Sequence, residues 1–299
     1  MYTFEVSGVE TWWWFPVITA FVVSFFSSTG GLSGAFLLLP FQVSILGYTG
    51  PGVSATNLLF NVIAIPGGVY RYWKEKRMVW HLAGMIIIGT VPGIFFGDFI
   101  RVKYMPDAAT FKLFVGLVLM YIGGRLGSDA LRAGKSASQN SRNQAKFIVK
   151  NQKLTLKKIS FQFCGEDYSI PTLSLFALCF TVGIIGGIYG IGGGAIIVPF
   201  LISAYKLPVY AVAGAGLLGT FSASLAGVII YVIIEKFQIV TGHNAAPDFQ
   251  LGILLGMGGL LGTYMGAMTQ KYMPARAIKI ILTILLLFIA VRYVGGYLL

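Results

Sequence analysis

Two apolar stretches of this chain are each interrupted by a similar run of glycine, and each is too long to cross a membrane once. The first, residues 12–46, carries Gly30-Gly31-Leu32-Ser33-Gly34-Ala35 and then Pro40-Phe41. The second, residues 171–205, carries Tyr189-Gly190-Ile191-Gly192-Gly193-Gly194 and then Pro199-Phe200. As helix, about 35 residues measure about 52 Å, against a hydrocarbon core of about 30 Å. That is too long for one pass and slightly short for two. A helical hairpin with the glycines at or near its tip fits. Backbone freed by such a break is tolerated at membrane depth only where it is buried in protein or lines a watery cavity.

Composition supports the membrane setting. The 299 residues are 56% hydrophobic and 11% charged, where a soluble domain carries about 25% charged residues. A net charge of +12 would suit a nucleic-acid binder, but the basic residues gather in short loops and one central segment, as the positive-inside rule predicts. No nucleic-acid partner is expected. Glu5 and Glu10 stand at an N-terminus without Lys or Arg, so the first apolar segment reads as retained and not as a secretory signal. Cys164 and Cys179 belong to no CxxC pair or Cys/His cluster, which predicts neither a disulfide nor a metal site. His81 and His243 flank apolar blocks without a second ligand at metal spacing.

The glycine motifs belong to a longer duplication. Val53 matches Val212, Leu58-Leu59 match Leu217-Leu218, Gly68 matches Gly227 and Tyr72 matches Tyr231, at a spacing of 159 residues. Further on the spacing is 168, pairing Gly84 with Gly252 and Lys103-Tyr104-Met105-Pro106 with Lys271-Tyr272-Met273-Pro274. Two homologous halves, residues 1–127 and 171–299, are thus joined by a basic linker at 128–170. Within the linker, partial alternation over Lys153–Phe163 predicts a short β-hairpin turning near Gly165-Glu166-Asp167. Its lysines are placed to meet anionic lipid head groups.

Each half reads as four apolar blocks, the first being the long interrupted one. If that block crosses once, the halves point the same way. If it makes two passes, or dips and returns, the halves are inverted. With the linker cytoplasmic, both arrangements put Arg71–Arg77 inside. The single pass puts the acidic N-terminus, Glu235 and Asp248 inside and Lys271, Arg276 and Lys279 outside; the hairpin reverses all three and obeys the positive-inside rule. The predicted fold class is therefore an all-α polytopic membrane protein of two inverted repeats. Each repeat holds about five segments, including a glycine-tipped hairpin, and both termini lie outside.

The chemistry available within the spans is uncharged. A broken helix presents free N–H groups and the positive end of its dipole, which favour an anion. The candidate ligand-binding residues are Gly30, Gly31, Ser33 and Gly34 in the first motif and Gly190, Gly192, Gly193 and Gly194 in the second. Pro40 and Pro199 are expected to end or kink the short helices that follow. Ser54, Thr56, Asn57 and Asn61 lie in the next block; Asn57 and Asn61, four apart, share a helix face. Thr220, Ser222 and Ser224 occupy the equivalent stretch. Glycine packing and interhelical hydrogen bonding are the plain alternatives, and packing accounts for Gly252, Gly256, Gly259, Gly262 and Gly266. Asp98 and Arg101, one turn apart near a span end, read as an interfacial pair, so no proton relay is identified. Arg125 and Glu235 also sit at span ends. No HExxH, nucleophile elbow, in-span acid pair or P-loop occurs, so no catalytic residue, metal or cofactor is predicted.

These motifs resemble the TauE/SafE sulfite-exporter family of membrane permeases. Gly190-Ile191-Gly192-Gly193-Gly194 leading to Val198-Pro199 is similar to that family's second-half signature, and Gly30 to Pro40 to its first-half counterpart. Ser54-Ala55-Thr56-Asn57 with Asn61, and Thr90-Val91-Pro92-Gly93, are similar as well. The resemblance implies a plasma-membrane transporter of sulfite or related sulfur-containing or carboxylated anions, often an exporter, working by alternating access; it does not imply the particular anion. A facilitative anion channel or an uptake permease of the same fold stays open. So do coupling to a proton or sodium gradient and assembly as a homodimer. Gly216 stands where a polar residue is expected opposite Asn57, which predicts an asymmetric site.

Overall fold

A computed structural model describes residues 1–29, 32–132, 149–155, 157–239, 244–270 and 275–298. Gly30, Gly31, His243 and Lys271 lie outside the described residues. A two-stranded ribbon, β1 (Tyr2–Thr3) and β2 (Glu10–Thr11), leads into α1 (Trp14–Thr29), α2 (Ala35–Ser44), α3 (Gly52–Lys74), α4 (Trp80–Tyr104) and α5 (Ala108–Arg132). After the linker come α6 (Thr172–Tyr189), α7 (Gly194–Ala204), α8 (Val209–Lys236), α9 (Phe249–Thr269) and α10 (Ala275–Leu298). Among the described residues, seven helices are long and apolar enough to cross a membrane. These are α3, α4, α5, α6, α8, α9 and α10; the 16-residue α1 and 10-residue α2 are shorter apolar helices. The molecule is mostly helical, as a polytopic membrane protein should be.

The linker departs from the all-α expectation. The strands β3 (Val149–Leu154), β4 (Lys158–Phe163) and β5 (Glu166–Pro171) form one antiparallel sheet. The β4–β5 turn falls at Cys164-Gly165, and β3 is a third strand that the weak alternation of its sequence did not announce. Ile159, Phe161 and Phe163 are buried on one face. The Val149 N–H donates to Lys76 O and the Gln152 side chain accepts from Trp80 N–H, which docks the sheet under the α3–α4 turn.

Local chemistry sets the helix ends. Asp248 caps α9 by accepting from Leu251 N–H at 2.9 Å, and Asp107 accepts from Thr110 N–H at 2.7 Å in the first turn of α5. These bonds satisfy donors that a helix start leaves without partners. Pro51 and Pro208 stand immediately before α3 and α8, where a missing N–H is harmless.

Packing follows glycine. Along α4, a Cβ at Gly93 or Gly97 would press into the backbone of α6 at Gly183 or Gly187, 2.9 Å away. Along α9, Gly262 and Gly266 meet the backbone of α1 at Phe21 and Phe25 in the same manner. The two seams are counterparts, and they pair Gly93 with Gly262, one residue out of step with the Gly84–Gly252 match. Gly252, Gly256 and Gly259 receive Leu59, Ile63 and Phe60 of α3, so packing explains these glycines.

The same contacts fix direction. Leu58 meets Gly227 while Leu217 meets Gly68 and Tyr72 meets Gly214, so α3 and its counterpart α8 run antiparallel. Gly116 meets Tyr293 and Val294 while Gly127 meets Thr283, so α5 and α10 do too. Within the first half, Phe15 meets Phe41 at 5.6 Å while Gly34 packs on Ser24, which makes α1 and α2 antiparallel neighbours. Ser174 bonds Tyr205 at 2.6 Å while Gly186 packs on Gly193, giving α6 and α7 the same relation.

Filling a seam should be costly. Gly262→Leu is expected to lower the thermal unfolding temperature in detergent, by at least the 1–3 kcal/mol or so typical of overpacking. Gly84→Ala, whose new Cβ meets nothing within 4 Å, should leave it unchanged or slightly raised.

Candidate functional site: the junction of two helix breaks

The two glycine breaks meet against α3, and its two asparagines join them. Asn57 Nδ2 donates to Gly190 O at 2.7 Å and to Ala35 O at 3.0 Å, while its Oδ1 accepts from Gln42 Nε2 at 3.1 Å. Asn61 Nδ2 donates to Ile191 O at 3.2 Å and to Ser224 Oγ at 3.1 Å, while its Oδ1 accepts from Ser33 Oγ. Both amides are fully buried. One helix face thus serves carbonyls from both halves of the chain.

The second break is shaped by three glycines at positive φ. Gly190 (φ +80°) follows α6 in a left-handed turn, in which Gly190 N–H reaches Gly187 O and Ile191 N–H reaches Gly186 O. These are the bonds of a Schellman motif. Gly192 (φ +70°) and Gly193 (φ +82°) then aim the chain into α7. The tip packs without room for side chains: a Cβ on Gly190 would lie 2.7 Å from Ser54 Cα, and one on Gly194 would overlap Thr220 Oγ1. Gly34 and Gly193 occupy the cap positions of α2 and α7 and supply no side-chain cap; at α2 the Ala35 N–H donates to Ser33 Oγ at 3.3 Å. Both helix starts therefore present N–H groups and the positive dipole end toward the junction.

Pro40 lies inside α2. It neither ends α2, which runs on to Ser44, nor leaves a polar group stranded. A proline at position 40 cannot bond the carbonyl four residues back. That carbonyl, Phe36 O, accepts instead from the Tyr189 hydroxyl at 2.8 Å. The last residue of α6 thereby reaches across to α2.

Of the residues singled out from sequence, the structure gathers Ser33, Gly34, Asn57, Asn61, Gly190, Gly192, Gly193, Gly194 and Thr220. Thr220 bonds Gly216 O at 2.8 Å, back along its own helix. Ser222 is half-buried and makes none of these contacts; Ser224, one turn below Thr220, takes the position facing Asn61. Gln42 and Tyr189 were not singled out. A lone Gln in the apolar run Leu37–Val43, and a Tyr where the first motif has Gly30, were the available signals. Around the first break, Ser24 Oγ, Ser27 Oγ and Gln42 Oε1 are buried without partners among the described residues. Among the described residues the junction offers hydroxyls, amides and helix N-termini, but no charged side chain: chemistry for an anion that must also be released.

The interfacial-pair reading of Asp98 and Arg101 is corrected by the structure. Both are fully buried, and neither belongs to the described ion pairs, Arg71–Glu75 and Arg77–Glu75. A turn of sequence from a helix end does not place a residue at the interface here, because Phe111 and the loop before α3 cover that end. Arg101 lies over the Phe111 ring at 3.7 Å and donates to Met105 O, to Ser54 Oγ at 3.3 Å and to Gly50 O at 3.4 Å. A cavity of about 1060 Å³ opens between α1, α2, α5 and α10. Lys112 and Arg292 line it, and its walls include none of the junction residues.

Comparison with known proteins follows the same boundaries. The family described as Sulfite exporter TauE/SafE matches residues 17–293. The probable membrane transporter protein YunE of Bacillus subtilis is 22% identical over 287 residues, covering 93% of this chain and 96% of its own. A probable membrane transporter protein of Methanocaldococcus jannaschii is 25% identical over 280 residues, covering 90% and 91%. One from Xylella fastidiosa is 26% identical over 272 residues, covering 88% of each. No solved structure matches the chain significantly.

The Tyr189–Phe36 bond can be tested by a cycle. Tyr189→Phe strands a buried carbonyl and is expected to cost about 1–3 kcal/mol. Pro40→Ala restores an N–H to that carbonyl. Thermal unfolding should therefore show Tyr189→Phe costing less in the Pro40→Ala background than in the parent.

Proposed function

The chain belongs to the sulfite exporter TauE/SafE family, and we propose that it is a secondary transporter moving sulfite or related organosulfur or carboxylated anions across the plasma membrane, outward, by alternating access between inverted repeats. The observation that carries this reading is the junction itself. Two helix breaks, one from each half, abut on Asn57 and Asn61, and both short helices start at it. Broken helices at a repeat interface are where secondary transporters hold substrate. In the described conformation the amide donors are spent on Gly190, Ala35 and Ile191 carbonyls. Substrate entry exchanges those bonds for bonds to an oxyanion as the breaks part. Each repeat carries its own break, so rocking one repeat against the other opens the junction to one face at a time. The antiparallel run of α3 against α8, and of α5 against α10, supports the inversion. The docking of the linker sheet under the Arg71–Arg77 turn supports placing both in the cytoplasm.

Reconstituted protein should load proteoliposomes with at least one labelled anion among sulfite, sulfoacetate, thiosulfate and sulfate. Gly192→Leu, which forces a side chain against Ser224 and Thr220, should abolish that flux while the protein remains monodisperse. Absence of flux and of binding for all these anions would overturn the reading. Topology has its own readout. Cys164 is exposed in the linker sheet and Cys179 is buried, so an impermeant maleimide should label inside-out vesicles and spare right-side-out ones. Burial and the neighbouring Glu166 push the Cys164 thiol up, so labelling should quicken as pH rises.

A further inference from the structure

We propose that Asp98 is a proton-binding site that couples proton movement to transport, with Arg101 as the group that answers its charge. This rests on the transport reading above and adds the coupling ion. Asp98 is fully exposed to no solvent, its relative exposure being 0%. Neither carboxyl oxygen has a hydrogen-bond partner among the described residues. Its Oδ2 points between α8 and α3, lying 3.0 Å from where a Cβ on Gly227 would stand, beside Leu58. An ionised carboxylate without partners in such surroundings is strongly disfavoured, so the group holds a proton here.

Repeat symmetry shows that this acid is not demanded by packing. Tyr72 and Tyr231 are counterparts, and both are fully buried. At the first, Tyr72 donates to Gln270 Oε1 at 3.0 Å, and Arg77 covers its ring. In the seam register that pairs Gly97 with Gly266, Gln270 is the counterpart of Arg101, and the buried apolar Ala267 that of Asp98. There Arg77 is paired with Glu75, and the tyrosine hydroxyl is satisfied. At the second, the Tyr231 hydroxyl has no hydrogen-bond partner among the described residues, and Asp98, Arg101, Ser54 and Tyr48 act on it electrostatically. The charges of the first end are paired, whereas the second holds a carboxyl without a hydrogen-bond partner among the described residues.

Asp98 and its neighbours meet through Tyr231 of α8, on which Asp98, Arg101 of the same helix and Tyr48 of the loop before α3 all act. The face of α6 against α4 carries Gly183 and Gly187, and α3 contributes Ser54 and Leu58. Asp107 acts on Arg101, and Asp248 on Tyr48. When Asp98 loses its proton to water, Arg101, one turn along the same helix, is the cation that can swing to it. That swing takes donors from Gly50 O, Met105 O and Ser54 Oγ. Gly50 and Tyr48 line a cavity of about 350 Å³ at the end of α3 opposite the Arg71–Arg77 turn, so Arg101 bonds a residue that borders it. Ser54 is the residue on which the Gly190 tip rests, one turn from Asn57. Proton loss at Asp98 therefore loosens the loop and the seat that hold the second break.

Two measurements on the full-length protein decide this. In detergent, infrared difference spectra on raising pH should lose a protonated-carboxyl band that Asp98→Asn lacks from the start; its presence in both proteins would overturn the assignment. In proteoliposomes, sulfite or sulfoacetate flux through the parent should alkalinise or acidify a trapped pyranine dye, and a pH gradient should drive accumulation. Asp98→Asn should lose gradient-driven accumulation and the dye signal yet keep exchange of labelled for unlabelled anion. Flux in the parent without proton movement would overturn the coupling and leave transport standing. Absence of any flux would overturn transport, and coupling with it, while the infrared result still judges the proton site.

Discussion

Everything near the junction answers one requirement: a backbone broken inside an apolar layer must have its carbonyls and amides met by protein. A stranded carbonyl costs about 1–3 kcal/mol even where neighbours partly compensate, and lipid offers no water to relieve it. Gly190 O, Ile191 O, Ala35 O and Phe36 O are met by Asn57, Asn61 and Tyr189. Three side chains thus fasten α2 to α3 and to the α6–α7 tip. The glycines are the other half of that arrangement. Only glycine at position 190 brings its carbonyl within 2.7 Å of an amide on α3 while resting on Ser54.

The division of labour between halves follows from the same requirement. Because α3 carries both amides, its counterpart α8 has Gly216 opposite Asn57 and Thr220 opposite Asn61. Thr220 spends its hydroxyl on Gly216 O of its own helix. The second break is therefore gripped by the first half, and α8 yields room to α7 at Gly194. An equal partnership would need amides on both helices and space for both, which the contacts at Gly192 and Gly194 do not leave.

Much of this was legible in the residues. Run length and glycine content located the interruptions at 30–34 and 190–193, and the i, i+4 spacing placed Asn57 and Asn61 on one face. What sequence could not supply was the identity of their partners, because a carbonyl carries no side-chain signature. Pro40 reads as a residue that ends or kinks a helix from its missing N–H; that the orphaned Phe36 carbonyl finds Tyr189 depends on a contact across 153 positions of chain. Ser222 and Ser224 are equally polar in sequence, and the phase of α8 against α3 alone selects Ser224. Asp98 misled because distance from a helix end was taken as depth, whereas depth depends on what covers that end.

The absence of charged side chains at the junction has an electrical consequence. A neutral site that moves an anion carries the anion's charge across the potential, about 2.3 kcal/mol per charge per 100 mV. With the cell interior negative, that term drives anions outward and opposes their entry, so a neutral junction suffices for export. A proton travelling with a monovalent anion cancels the term, and one travelling against it doubles it. The charged machinery at Asp98 and Arg101 lies one turn of α3 from the junction, at Ser54, and not within it. Under the proposed mechanism, separation of this kind would let the anion meet only amides, hydroxyls and helix ends, from which it can leave, while the buried carboxyl would link its movement to a proton gradient.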